Sequence, residues 1–463
     1  MFLNQRIARK TLIFLVVFAA VLVGIGLSIL STGEVVQKNP GIVATFLINI
    51  SICFVMLIKA VRKYAYSFNM MFWLFGLFFF GIAPMLQYIS DTYAWTLVPQ
   101  ASEILRTNIY ILLWLCCYSL GGSINKKIKF SLRSVVDRRK QQYSYRINQR
   151  ALNCLLVVSI LITAYNIYSI GLLNLFVLET NNNADLDGPM SLLVMHGFRN
   201  TVLFTLVLSI LCAKSRGRMG YEPILAAICC LLSCAPTGIT RNMMASFYGG
   251  LLIILLANGT KKRWIIFAII GGIVVVFPAI NIFRRLSTVA PDKILETVMS
   301  SIRNTYLAGD YDAHQMFISV QRWVEQDGLQ YGRQLIGAIL FFVPRLLWPE
   351  KPLGTGRSAF EATNQFWFTN VSAPLVSEAW VNFGAIGIIV FAVILGYTVK
   401  QVDVKYWQAN SECSLIRIVY PFLMFMFFFM QRGDLMSTWA YFFAQMVIGM
   451  FIYKFAVKKV NKI

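Results

Sequence analysis

Apolar runs of about 20 residues recur along this chain, separated by short polar segments that carry most of the charge. Each run is long enough to cross a hydrocarbon core of about 30 Å as a helix, and helices are the default because backbone polar groups in lipid must pair internally. The runs fall at about 11–30, 41–58, 70–89, 104–124, 151–170 and 191–213, then as two short runs within 223–257, then at 264–282, 377–398, 414–430 and 436–453. Pro236, Gly238 and Arg241 split the two short ones. Broken spans of this kind usually line a cavity, and a charge at that depth is costly enough to suggest function.

Basic residues orient the pattern. Arg6, Arg9 and Lys10 precede the first run, which lacks a small-x-small cleavage site and is read as an uncleaved span. Lys59, Arg62 and Lys63, the nine basic residues from Lys126 to Arg150 against Asp137 alone, Lys214 to Arg218, Lys261 to Arg263, Lys400 to Arg417 and the closing lysines all fall on alternate connections. The positive-inside bias then makes both termini cytoplasmic. The expectation is an all-α polytopic bundle of about twelve transmembrane helices with the charge bias of an inner membrane protein. Residues 1–283 carry spans one to nine, 284–376 form one large outward loop, and 377–463 carry spans ten to twelve.

Composition agrees: 58% of the 463 residues are hydrophobic and 13% charged, too oily for a soluble globule. The net charge of +22 sits in loops between spans, so it marks orientation, and nucleic acid is not an expected partner. The nine cysteines lie in or beside apolar runs and read as buried thiols. With two histidines they do not make a metal site. The large loop is mixed, nine basic residues against eight acids, and its Trp323, Trp348 and Trp367 suggest that it packs on the bundle.

Polar groups concentrate at the outward face in five places. These are Arg241; Arg284 with Arg285; Gly309 to Asp312 with His314; Arg345 to Arg357; and Glu378 with Arg432 and Asp434. The stretch from Phe341 to Gly387 looks like the organising segment. Guanidinium groups pair with phosphate in a bidentate way, so this set suits an anionic, lipid-linked substrate whose diphosphate leaves. Asp312, Glu378, Asp310 and His314 are the candidate catalytic groups, able to take a proton from an incoming hydroxyl. Arg241, Arg284, Arg285, Arg345, Arg357 and Arg432 are the candidate diphosphate ligands. Asp310 and Asp312 have the spacing of a metal-binding pair, but such pairs cap turns far more often, and neither metal nor cofactor is expected.

PRLLWPEKPLGTG (Pro344 to Gly356) followed by SAPLVSEAWVNFGAIG (Ser372 to Gly387) resembles the signature of O-antigen polymerases, the Wzy-type repeat-unit polymerases of bacterial inner membranes. GDYDAHQMF (Gly309 to Phe317) and YGRQLIGAILFFVP (Tyr331 to Pro344) extend the resemblance, as do Arg241 after the broken span and the pattern of Phe277, Pro278 and Arg284. The resemblance implies a C-type glycosyltransferase fold, a periplasmic position for the large outward loop and a reaction without metal. The growing glycan would pass from undecaprenyl diphosphate to the non-reducing end of the next lipid-linked repeat at the periplasmic face. It implies lipid-linked oligosaccharides as donor and acceptor, membrane lipid as surroundings, and room for a chain-length regulator and a flippase as partners. A polysaccharide flippase or transporter, and an O-antigen ligase, are the alternatives. The single long loop and unmatched halves argue against the first, and the motif against the second.

Overall fold

A computed structural model describes residues 38–136, 143–176, 189–256, 264–272, 305–307, 309–364, 371–409 and 411–461. The first expected span and Arg284 and Arg285 lie outside the described residues, and the ninth span is described only over its first part.

The described residues form a helical bundle with the composition of a membrane-embedded protein. Seven helices are long and apolar enough to cross a membrane. They are α1 (Pro40–Lys63), α2 (Phe68–Ile89, with a π turn at Phe78–Ile82), α3 (Ala101–Val136, apolar over Ala101–Ile124), α4 (Gln149–Ile170), α5 (Pro189–Arg216, apolar over His196–Arg216), α12 (Leu375–Gln408) and α14 (Leu435–Ala456). Three shorter apolar helices accompany them: α6 (Tyr221–Ser233), α7 (Arg241–Leu256) and α13 (Leu415–Met430). Trp264–Gly271 is α8. The expected split of 223–257 into two short helices is therefore present, with α6 ending at Ser233 and α7 opening at Arg241.

The large loop is not a separate layer. Its described part contains α9 (Ala313–Asp327), α10 (Arg333–Ile339) and α11 (Thr355–Ala362). Tyr306, Tyr311, Ala313 and Phe317 belong to the same apolar core as the long helices. One face of α9 docks on the start of α3 through polar pairs. Arg322 donates to both carboxylate oxygens of Glu103 at 2.6 and 2.7 Å, and Gln321 Nε2 donates to Thr107 at 2.8 Å. The tryptophan argument holds for Trp323, which is 6% exposed.

Two features of α12 shape the site end. Phe383 and Gly384 break its helical geometry, Gly384 at φ +59° and ψ −144°, a conformation that L side chains avoid. The break frees the Val381 carbonyl, which accepts from Gln330 N at 2.8 Å. Leu375 to Asn382 thereby becomes a short helical arm carrying Ser377 and Glu378. Further along, Gly396 lies where a Cβ would meet the Tyr118 carbonyl at 2.1 Å, and Gly121 opposes Val393 in the same way. Two glycines thus let α3 and α12 touch backbone to backbone, the usual means of close packing where lipid offers no hydrophobic drive.

Contacts sort the connecting segments into two groups. Lys38 pairs with Asp91, and Arg241, Trp95, Ser372 and Arg432 all reach the Gly309–Asp312 turn. The second group joins Tyr66 to Tyr406, Asp403 to Phe68, Asn69 and Tyr420, and Glu222 to Gln149 and Arg216. The second group also holds strand pairing that an all-α reading did not foresee. β1 (Tyr143–Ile147) runs antiparallel to β2 (Val457–Asn461), with Arg146 opposite Lys458.

Candidate active site

The site is centred on the Gly309–Tyr311 turn rather than on the Phe341–Gly387 stretch. Arg241 is the first residue of α7, placed there by the Pro236 and Gly238 break. Two turns later Tyr248 donates its hydroxyl to the Cys234 carbonyl at 2.6 Å, satisfying the end of α6. Arg241 grips Asp310 with both terminal nitrogens, at 2.9 and 2.5 Å. Arg432 enters from the α13–α14 turn, where Gly433 N donates back to Phe429 O at 2.9 Å. Its Nη2 donates to the Gly309 carbonyl at 2.6 Å and to Asp312 Oδ1 at 3.1 Å. Its Nε is buried and donates to no group among the described residues.

Asp312 is wholly buried and fully engaged. Oδ1 accepts from Ser372 Oγ at 2.7 Å as well as from Arg432, and Oδ2 accepts from Trp95 Nε1 at 3.1 Å. Three donors from three separate segments hold that carboxylate still, so the geometry makes it a brace for Arg432. Gln315 fixes Trp95 in turn, accepting from its backbone N at 3.0 Å and donating to its carbonyl at 3.1 Å. Gln87 Nε2 donates to the Tyr306 and Tyr311 carbonyls at 3.0 and 3.2 Å. The turn's backbone is therefore tied down on both sides.

A second polar group adjoins the first. Glu378 accepts from Thr355 Oγ1 at 2.8 Å and from Leu435 N at 3.2 Å. Asp434 caps α14 through Met436 N and accepts from Gly356 N at 3.0 Å. Burial pushes the Asp434 carboxyl up, while those amides hold it down. Both carboxyls clamp the start of α11. Gly354 and Gly356 are needed there, since a Cβ at Gly354 would meet Asp434 Oδ2 at 2.4 Å and one at Gly356 the Ser372 carbonyl at 2.6 Å.

Between α2, α7, α8 and α13 lies a cavity of about 200 Å³. Its described lining is almost wholly apolar: Met71, Phe79, Tyr248, Leu252, Ile269 and Phe425 are representative. Arg241 and Arg432 also line it, with Asn242. Two guanidinium groups therefore meet an oily chamber inside the bundle.

The remaining candidates lie elsewhere. His314 is 4% exposed, with Nε2 2.9 Å from Asn108 Oδ1 and its ring 5.4 Å from that of Phe46. Burial pushes its pKa down to about 3, so it stays neutral, and its geometry is that of a packed core histidine rather than of a base. Arg345 is exposed and donates to the Lys351 and Pro352 carbonyls at 2.7 and 3.1 Å, bracing its own loop. Arg357 pairs along the surface of α11 with Glu361 at 2.8 Å. Arg284 and Arg285 are outside the described residues.

Several site members were not legible beforehand. Trp95 had the look of an interfacial belt residue, Gln87 lay in an apolar run with no motif around it, and Gln315 and Ser372 lay inside the quoted motifs without being singled out for a role. Only the buried cost of a polar side chain inside α2 could have drawn attention to Gln87. Comparison with family models, with curated proteins and with solved structures gives no match.

Proposed function

We propose that this chain polymerises lipid-linked oligosaccharide repeat units, as its resemblance to O-antigen polymerases implies. The carrying observation is the apolar cavity that ends on Arg241 and Arg432. That juxtaposition suits an isoprenoid diphosphate, with the head on the guanidinium groups and the first isoprene units among Met71, Phe79 and Phe425. A cavity of about 200 Å³ is below the ~300–1,000 Å³ typical of small-ligand pockets, so the rest of a long polyprenyl chain would lie in lipid.

In this reading the arginines hold the donor's diphosphate and stabilise it as the leaving group. Both are aimed beforehand: Asp312, Trp95 and Ser372 fix Arg432, and the α6–α7 break fixes Arg241. The apolar chamber borders both guanidinium groups on one side, and low polarizability there strengthens their charge interactions with the ligand. Glu378 and Asp434 set the position of α11 and of Ser372 behind it. The site would face the periplasm of the bacterial inner membrane, the side on which flipped repeat units arrive.

The test is reconstitution. The purified chain in nanodiscs, given a synthetic undecaprenyl-diphosphate-linked repeat unit, should yield a ladder of longer lipid-linked glycans. Arg241→Ala and Arg432→Ala should each lower the rate by about 100-fold or more, the usual loss for one preorganised charge-stabilising donor. Transfer to a lipid A core acceptor without ladder formation would point to ligation. Movement of the lipid-linked repeat between leaflets without new bonds would point to a flippase.

A further inference from the structure

The two aspartates of the Gly309–Asp312 turn are held in opposite ways. Asp312 has no exposed surface and receives Ser372, Arg432 and Trp95. Asp310 keeps 16% of its side chain exposed and Arg241 keeps 23%. Their two-point contact therefore stands at the accessible rim of the site. It also engages the guanidinium edge that a diphosphate would need. A diphosphate carries more negative charge than one carboxylate and offers more acceptor oxygens, so it competes well for the same fork.

We propose that Asp310 is a latch that the substrate itself opens: the donor's diphosphate takes Arg241 from Asp310, and the released carboxylate becomes the base for the acceptor hydroxyl. This rests on the polymerase reading above and assigns the base within it. The backbone around Asp310 stays put when its side chain is displaced. Arg432 holds the Gly309 carbonyl, Gln87 holds the Tyr311 carbonyl, and three donors hold Asp312. The freed carboxylate thus remains within a side chain's reach of the diphosphate it has yielded to. In the step, the acceptor hydroxyl oxygen bonds to the donor sugar's anomeric carbon. The bond from that carbon to the diphosphate oxygen breaks, and its electron pair leaves with the lipid diphosphate against Arg241 and Arg432. The hydroxyl proton passes to the Asp310 carboxylate and goes to water when the product departs and the Arg241 pair re-forms. Before donor binding the base is masked, which suppresses proton transfer with no leaving group in place.

The experiment uses the full-length protein in nanodiscs, with undecaprenyl diphosphate as the binding probe and the lipid-linked repeat unit as substrate. Asp310→Asn removes the competing charge and the base together. It should bind the probe at least fivefold more tightly than the natural chain while polymerising at least 100-fold more slowly. Asp310→Glu, which keeps a carboxylate, should recover a substantial part of the rate. If Asp310→Asn binds the probe no better than the natural chain, the latch is wrong. If Asp310→Asn polymerises within a few-fold of the natural chain, Asp310 is not the base. Failure of the natural chain itself to bind the probe or form a ladder would instead sink the polymerase reading, and the latch with it.

Discussion

His314 and Asp312 sit two residues apart, yet one is a core side chain and the other a brace of the site. A turn of 3-10 helix at Gly309–Tyr311 followed directly by α9 sends Asp312 toward Arg432 and His314 toward Asn108 and Phe46. The burial of His314 has a measurable consequence. Its folded pKa of about 3 lies below the ordinary 6.5, so its neutral form is favoured in the folded state. The resulting stability is fully present above pH 6.5 and is lost as pH falls toward 3. Over the 1.5 units from pH 6.5 to pH 5 that loss is about 2 kcal/mol, at about 1.4 kcal/mol per unit. Thermal unfolding in detergent at pH 7 and pH 5 checks this, with His314→Gln expected to give a shallower pH dependence. An equal slope in both proteins would place the acid sensitivity elsewhere. Activity at neutral pH should survive His314→Gln far better than Arg241→Ala.

At the scale of elements, close approach decides more than side-chain identity. The α3–α12 contact depends on Gly121 and Gly396, where added atoms would run into backbone that has no freedom to move aside. Gly396→Leu should push the helices apart and sharply lower the yield of monodisperse protein in mild detergent. Normal yield and unchanged unfolding temperature would show that the helices tolerate a wider gap. The α11 contact is smaller and nearer the chemistry. Gly356→Ala should cost about 1–3 kcal/mol, the usual range for overpacking, and reduce turnover by displacing Ser372 from Asp312. Arg345 belongs at this scale too. With its guanidinium on the Lys351 and Pro352 carbonyls, Arg345→Ala should loosen the loop and lower activity by less than either Arg241→Ala or Arg432→Ala. A larger loss would return Arg345 to the diphosphate site.

For the whole molecule the prediction concerns sides. The polar segments meet in two separate groups, and the proposed function puts the group around Asp310 outside the cell membrane. In a background with the nine cysteines replaced, Leu346→Cys and Met219→Cys give a direct reading. Both positions are well exposed, at 91% and 75%. An impermeant maleimide added to intact spheroplasts should label the first and not the second. Labelling only at position 219 would invert the bundle and end the proposal of a periplasmic site.

The membrane character of the chain, the positions of most helices and the broken span at Arg241 were all legible in the sequence. Run length, charge bias and Pro/Gly breaks act locally, within a few residues of where they are read. The grouping of Arg241, Asp310, Asp312 and Arg432 was legible only as a shared face. Which of the outward arginines meet, and which brace their own loops, was not. That choice depends on contacts across 69 and 120 positions of chain, set by how α7, α9 and α13 pack. Composition and spacing determined that the protein is an oily helical bundle with cationic polar segments. Tertiary packing alone decided that two guanidinium groups close one end of an apolar chamber, because burial and helix crossing, rather than sequence distance, select the side chains that share a cavity.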